Sequence, residues 1–287
     1  MALSVKIPGS CGELIQGMIE ETPFLVTCPI NMYAKASFGE YFSYLPHKAR
    51  VARQRTLDYL QEKSQAKLSL FTQLLPGKGM ASSSADIAAV SYLTALCCGR
   101  KLSEAELLKI SVAIEPTDAV FCKGIVRTNH LKGEVMEHFG LAPKLKCMMF
   151  DCGGKVDTLS FNRRRDLKSL YRQNENEIKK ALDLLRLGFK EKNTSYIGQA
   201  AAISAYANQS ILYKSQLEDI MIISESFKAI GVNIAHSGTV IGVLFDDEIN
   251  EEMTLECKAK ILSDCFNLTY LNTVKIISGG IFVDETV

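Results

Sequence analysis

An α+β fold is predicted for this chain by three observations. Turn residues divide the sequence into segments that alternate between strand and helix patterns. No internal repeat or low-complexity stretch intervenes. With 287 residues, 47% hydrophobic and 23% charged, the chain is long enough for one large domain or two ordinary ones sharing an interface.

Residues 4–7 alternate briefly as a strand and stop at Pro8-Gly9, so a loop is expected through residue 17. Residues 24–38 are β-branched, aromatic and apolar, with Pro29 as a bend or edge, and read as long antiparallel strand. Residues 47–64 form a basic amphipathic helix pattern, and residues 66–75 return to strand until Pro76-Gly77-Lys78-Gly79 breaks it. Small and apolar residues then keep helical spacing over 82–96, where Cys97-Cys98 continues the packing. Ser103 with Glu106 three positions on is a capping box that opens a second helix through Ala113. Strands are expected at 122–129, 133–139 and 145–151, with a turn at Lys132-Gly133 and a break at Asp151-Cys152-Gly153-Gly154. A domain seam is placed near 140–155. Beyond it come helices at 164–191, 194–209 and 215–229, strands at 232–236 and 239–245, a helix at 251–265 and strands at 271–277 and 280–283. That split order is α+β.

Lys and Arg number 33 against 32 Asp and Glu, a net charge of +1. Such a balance supplies no overall field for nucleic acid or anionic lipid, so neither partner is expected and any anion site must be local. The start MALSVKIPGSCGEL lacks a basic region followed by a long apolar core, and no window approaches ~18 apolar residues. A soluble cytoplasmic protein is expected. Nine cysteines without a repeated CxxC pair, beside four histidines, read as small apolar residues kept reduced rather than a disulfide scaffold or a zinc site.

Four segments can carry chemistry. The first in weight is Pro76-Gly77-Lys78-Gly79-Met80-Ala81-Ser82-Ser83-Ser84, a strand passing through a glycine turn into a helix with a hydroxylic first turn. Glycines at positive φ let an anion approach the backbone, and unpaired amides with the helix dipole point at it. A serine facing a Mg²⁺ held by a triphosphate, or a plain serine N-cap, are both open readings. A P-loop and a Rossmann fingerprint fit worse, lacking the Lys-Ser/Thr ending and the third glycine respectively.

In Glu115-Pro116-Thr117-Asp118 the proline ends the preceding helix and sets two carboxylates in one turn, suited either to a metal and a base or to capping. The compact Pro8-Gly9-Ser10-Cys11-Gly12-Glu13 stretch either folds over a ligand through Ser10 and Glu13 or is structural. Finally, Ala235-His236-Ser237-Gly238-Thr239 is a turn whose backbone either merely reverses the chain or buttresses the phosphate loop, with His236 as a hydrogen-bonded histidine. Arg163-Arg164-Arg165 reads as a solvated helix start.

In chain order, Pro8 to Gly17, Pro76 to Ala85 and, more loosely, Ala235 to Gly242 resemble the three motifs of the GHMP kinase superfamily, small-molecule kinases of galactose, homoserine, mevalonate and phosphomevalonate. The resemblance runs nearly end to end. It implies a two-domain fold, a ribosomal S5 domain 2-like α/β domain over 1–144 and a ferredoxin-like α+β domain over 145–287. It further implies that residues 76–84 bind ATP, that Ser83 and Glu115 hold Mg²⁺, and that Asp118 is the catalytic aspartate. Ser10 stands where several members carry a lysine or arginine, and the third motif lacks the usual glycine run. The wording Pro-Gly-Ser-Cys-Gly-Glu-Leu-Ile-Gln-Gly looks most like the branch that phosphorylates free L-threonine for the aminopropanol linker of cobalamin. For such a substrate Glu13 is assigned the ammonium, while Arg127, Lys78 and the arginine cluster compete for the carboxylate. Homoserine kinase, another GHMP activity, or an inactive nucleotide-binding regulator of the same fold are the alternatives, and a homodimer stays open.

Overall fold

The computed structural model describes residues 2–38 and 45–286. Its frame is a ten-stranded sheet in which every pairing is antiparallel. Strands β1 (Ala2–Ile19) and β2 (Thr22–Phe38) run side by side for most of their length. The stretch expected as a loop after residue 7 is therefore strand. Register shifts at Pro8/Gly9, Ser10/Glu13 and Glu13/Ile15 absorb its irregular residues as bulges, with Gly12 at φ +56°. The turn between the two strands is Glu20-Glu21, both at positive φ. No glycine or asparagine announces it. It is held from outside, since Arg172 and Lys168 clasp the Glu21 carboxylate and Glu175 accepts the Glu20 amide.

Helix α1 (His47–Leu60) is shorter than its sequence pattern, ending at Gln61 in the left-handed region. Strand β3 (Leu68–Thr72) pairs with the far end of β2. Helix α2 (Ser82–Cys97) is buried on nearly all sides, which its alanine-rich sequence permits, and it lies against β1 and β2. Helix α3 (Glu104–Val112) begins with the predicted capping box, Ser103 and Glu106 each satisfying the other's backbone amide. Strands β4 (Ile125–Asn129) and β5 (Glu134–Gly140) complete one side of the sheet, and the alternating exposure of β5 marks an edge.

Strand β6 (Leu145–Asp151) opens the other side. The helix expected over 164–191 is two pieces, α5 (Leu167–Gln173) and α6 (Glu175–Glu191), preceded by the short α4 (Thr158–Asn162), and the arginine triplet falls in the connection between α4 and α5. It is no helix start because Arg164 is drawn aside to Asp166 and to the Ile211 carbonyl. Then follow α7 (Thr194–Ala207), α8 (Leu217–Ser226), β7 (Gly231–Ile234), β8 (Val240–Asp246), α9 (Glu251–Asp264), β9 (Thr269–Lys275) and β10 (Phe282–Thr286). Strand β8 is apolar from Val240 to Phe245 because both its faces are covered: Val240 and Leu244 join the core containing α6 and α7, and Ile241, Val243 and Phe245 join the one containing α8 and α9. The two sides of the sheet meet at β1, which pairs with β7 only at Glu13↔Ile234, while β10 returns to pair with its first residues.

Candidate active site

The phosphate-loop candidate is built by directing its carbonyls away. Gly77 O accepts from the Val156 amide, Lys78 O from Thr239 and Val240, Gly79 O from Gly12 and Met80 O from Ser10, all between 3.0 and 3.2 Å. The Ala81 carbonyl goes into the first turn of α2. None of the amides from Gly77 to Ser84 donates to another described residue. Positive φ at Gly77 (+74°), Gly79 (+83°) and Ala81 (+53°) produces this orientation. A plain serine cap is excluded, because the N-cap is Ala81 and α2 has no side-chain cap. Uncapped amides at a helix start and a run of outward amides make an anion cradle. The turn at 235–239 buttresses it, since a Cβ on Gly79 would overlap that of Ala235 and one on Gly238 would strike the backbone of Lys78 and Gly79.

This cradle lines a cavity of about 330 Å³ shared with Glu13, α1, Asp86, Glu115 and Asp118. Pro116 ends α3 as predicted and leaves Glu115 5% exposed, its Oε2 2.5 Å from the Lys48 ammonium. Asp118 is held by Ser84, whose Oγ accepts the Asp118 amide at 3.1 Å and donates to Oδ2 at 3.2 Å. Burial raises the Asp118 carboxyl well above the usual range, and the nearby Glu13 and Glu115 push the same way. Burial likewise pushes Asp86 up to about 7, against a hydrogen bond from Thr72. Ser83 Oγ and Asp86 Oδ1 are buried without a partner. An orphaned serine oxygen near a carboxylate is the donor chemistry magnesium takes when it keeps waters and phosphate oxygens for its remaining positions. Among the described residues no three His, Cys, Asp or Glu side chains converge as a metal site; Ser83 and Glu115 both line the cavity, and their oxygens are of the kind magnesium takes.

Glu13 is 4% exposed and reaches the cavity wall from a bulge of β1. Its Oε2 accepts from the His236 amide and faces His236 Nδ1, each at 3.0 Å. The carboxylate only accepts, so Nδ1 carries the proton. Nε2, 2.9 Å from Ser204 Oγ, then accepts from the Ser204 hydroxyl, which itself accepts the Gln16 amide. The hydrogen-bonded reading of His236 holds. Ser10 lies under the loop, not on the cavity wall. It is 1% exposed, its amide ties down Met80 and its Oγ has no partner. The Lys78 ammonium also leaves the cavity, 2.5 Å from Asp151 and 2.7 Å from the Gly154 carbonyl. Arg127 pairs with Glu137 and stacks on Phe24, away from the cavity.

Two cavity residues escape the sequence reading, Asp86 and Lys48. Asp86 is three positions after Ser83 and shares its helix face, a spacing that was open to inspection. Lys48 gives a fainter signal, a cation in the first turn of a helix that has no acidic residue there.

Residues 49–123 match the family description "GHMP kinases N terminal domain". The chain is 26% identical over 282 residues to an L-threonine kinase of Salmonella typhimurium, covering 96% of this chain and 94% of the relative. It is 28% identical over 247 residues to an L-threonine kinase of Citrobacter freundii, covering 84% and 85%. Among solved structures, a homoserine kinase of Cytophaga hutchinsonii superposes with a TM-score of 0.73 at 16% identity, over 99% of this chain and 97% of that one. The protein therefore carries a GHMP kinase N-terminal domain within a GHMP kinase fold, and its likeness to two L-threonine kinases runs over most of its length.

Proposed function

We propose that this GHMP kinase transfers the γ-phosphoryl group of ATP to the side-chain hydroxyl of free L-threonine, giving O-phospho-L-threonine for the cobalamin linker. The observation that carries the kinase chemistry is the loop whose carbonyls from Gly77 to Ala81 are tied back and whose amides are free beside two carboxylates. The likeness to L-threonine kinases supports the acceptor.

In this reading the amides of residues 77–84 hold the phosphates, and Ser83 and Glu115 hold Mg²⁺, which when bound neutralises phosphate charge. Asp118, fixed by Ser84, accepts the hydroxyl proton through Oδ1. Its raised proton affinity makes it a stronger base than an exposed aspartate. The threonine oxygen forms its bond to the γ-phosphorus as the bond to the bridging oxygen breaks, and that electron pair stays on ADP. Glu13 Oε1, opposite the oxygen bound by His236, takes the substrate ammonium. The balanced charge favours no nucleic-acid partner. A cytoplasmic location fits nine free cysteines, and no helix among the described residues is long and apolar enough to cross a membrane. We place the domain boundary at 144/145, where the chain passes from β5 at one end of the sheet to β6 on its other side.

Phosphorus NMR of the protein with ATP, Mg²⁺ and threonine, homoserine or serine tests this. A phosphomonoester is expected with threonine. Serine differs by one methyl, worth ~1–3 kcal/mol, and should react more slowly. Product from homoserine alone would move the acceptor assignment, and no product from any of the three would leave a nucleotide-binding regulator.

A further inference from the structure

The cavity wall carries Glu13, Asp86, Glu115, Asp118 and Asp157 but, among the described residues, one lysine and no arginine. A nucleoside triphosphate brings roughly four more negative charges, which a single divalent ion cannot balance. The lysine in the phosphate loop cannot help, since Lys78 is committed to Asp151 and the Gly154 carbonyl. That leaves Lys48. We propose, building on the kinase reading above, that Lys48 is a catalytic cation that exchanges partners, leaving Glu115 to bind the terminal phosphate of the nucleotide when metal takes the Glu115 carboxylate.

Three features support the exchange. The Glu115 side chain is 4% exposed and fixed behind Pro116, whereas the Lys48 side chain is 46% exposed, so the ammonium is the mobile member of the pair. Lys48 occupies the first turn of α1, where a cation opposes the helix dipole and gains nothing for the helix itself. The start of that helix, Pro46 to Ala49, forms cavity wall, which sets the ammonium's stem beside the cradle. During transfer the lysine keeps its protons. It stabilises negative charge on the non-bridging oxygens of the moving phosphoryl group and takes no part in bond making.

The test compares wild type, K48M, K48R, E115Q and K48M/E115Q for binding of ADP and a nonhydrolysable ATP analogue, in EDTA and with Mg²⁺, by calorimetry, and then for turnover with Mg²⁺. With Mg²⁺ present, the ATP analogue should bind K48M about tenfold more weakly than wild type while ADP changes less than threefold, and K48R should retain most of the preference. E115Q should tighten metal-free analogue binding by releasing Lys48, and the double variant should lose that gain. With Mg²⁺, K48M should lower kcat about 10²-fold with little change in threonine KM. An unchanged analogue-to-ADP ratio in K48M and in the double variant, while wild type binds and turns over, would overturn the exchange alone. If wild type fails to bind the analogue with Mg²⁺ present, the kinase reading falls with it. K48R and the double variant remain informative if K48M, which strands Glu115, does not fold.

Discussion

At the scale of single residues, Ser83 and Asp118 separate stability from function. Ser83 Oγ is buried without a partner, so removing it costs the fold no hydrogen bond. Ser83→Ala should leave Tm unchanged or slightly higher, while weakening Mg-nucleotide binding by about tenfold in calorimetry. Asp118 is held in a buried, electronegative setting that disfavours its charge. Asp118→Asn keeps an oxygen for the Ser84 hydroxyl and removes the repulsion from Glu13 and Glu115. Its Tm should rise as kcat falls by about 10² or more, with nucleotide affinity little altered. Unchanged turnover would take Asp118 out of the reaction.

Elements show where local signals suffice and where they do not. The capping box at Ser103, the helix end at Pro116 and the strand–glycine–helix passage at residues 76–84 were legible because each depends on neighbours in sequence. The β1 to β2 hairpin was not, for Glu20 and Glu21 adopt positive φ under the grip of α5 and α6, remote in the chain. The same limit hid the break at Asn174, which ties α5 and α6 to the Ala207 carbonyl through its side chain. Gly79 combines both kinds of constraint: its φ of +83° suits glycine locally, and its contact with Ala235 leaves no room for a Cβ. Gly79→Ala should cost ~2–4 kcal/mol in denaturant unfolding and abolish nucleotide binding, as the loop would have to leave its buttress. Retained binding would mean that the cradle tolerates a different loop path.

For the molecule as a whole, buried titratable groups set the response to acid. His130, joined through its carbonyl to Thr117 behind the carboxylate turn, is held down to about 4 by burial. Unfolded, it would titrate near 6.5, so between these values the unfolded chain binds the extra proton and stability falls as pH drops. The loss is on the order of 2–3 kcal/mol by pH 4. Asp86, raised to about 7, works in the opposite sense over the same range, its folded-state advantage shrinking as pH rises. The His130 contribution therefore emerges on comparison with His130→Gln, whose unfolding free energy relative to wild type should rise by that amount from pH 7 to pH 4. A constant difference would contradict the buried neutral imidazole. By itself, the sequence determined the α+β class, the glycine loop at residues 76–84 and the turn holding Glu115 and Asp118, because backbone conformation there follows from residues a few positions apart. Only the tertiary structure decided that Lys78 turns to Asp151, that Ser10 sits beneath the loop and that Lys48 faces Glu115. Those outcomes depend on which charges distant segments bring within a few ångströms, and spacing along the chain does not encode that proximity.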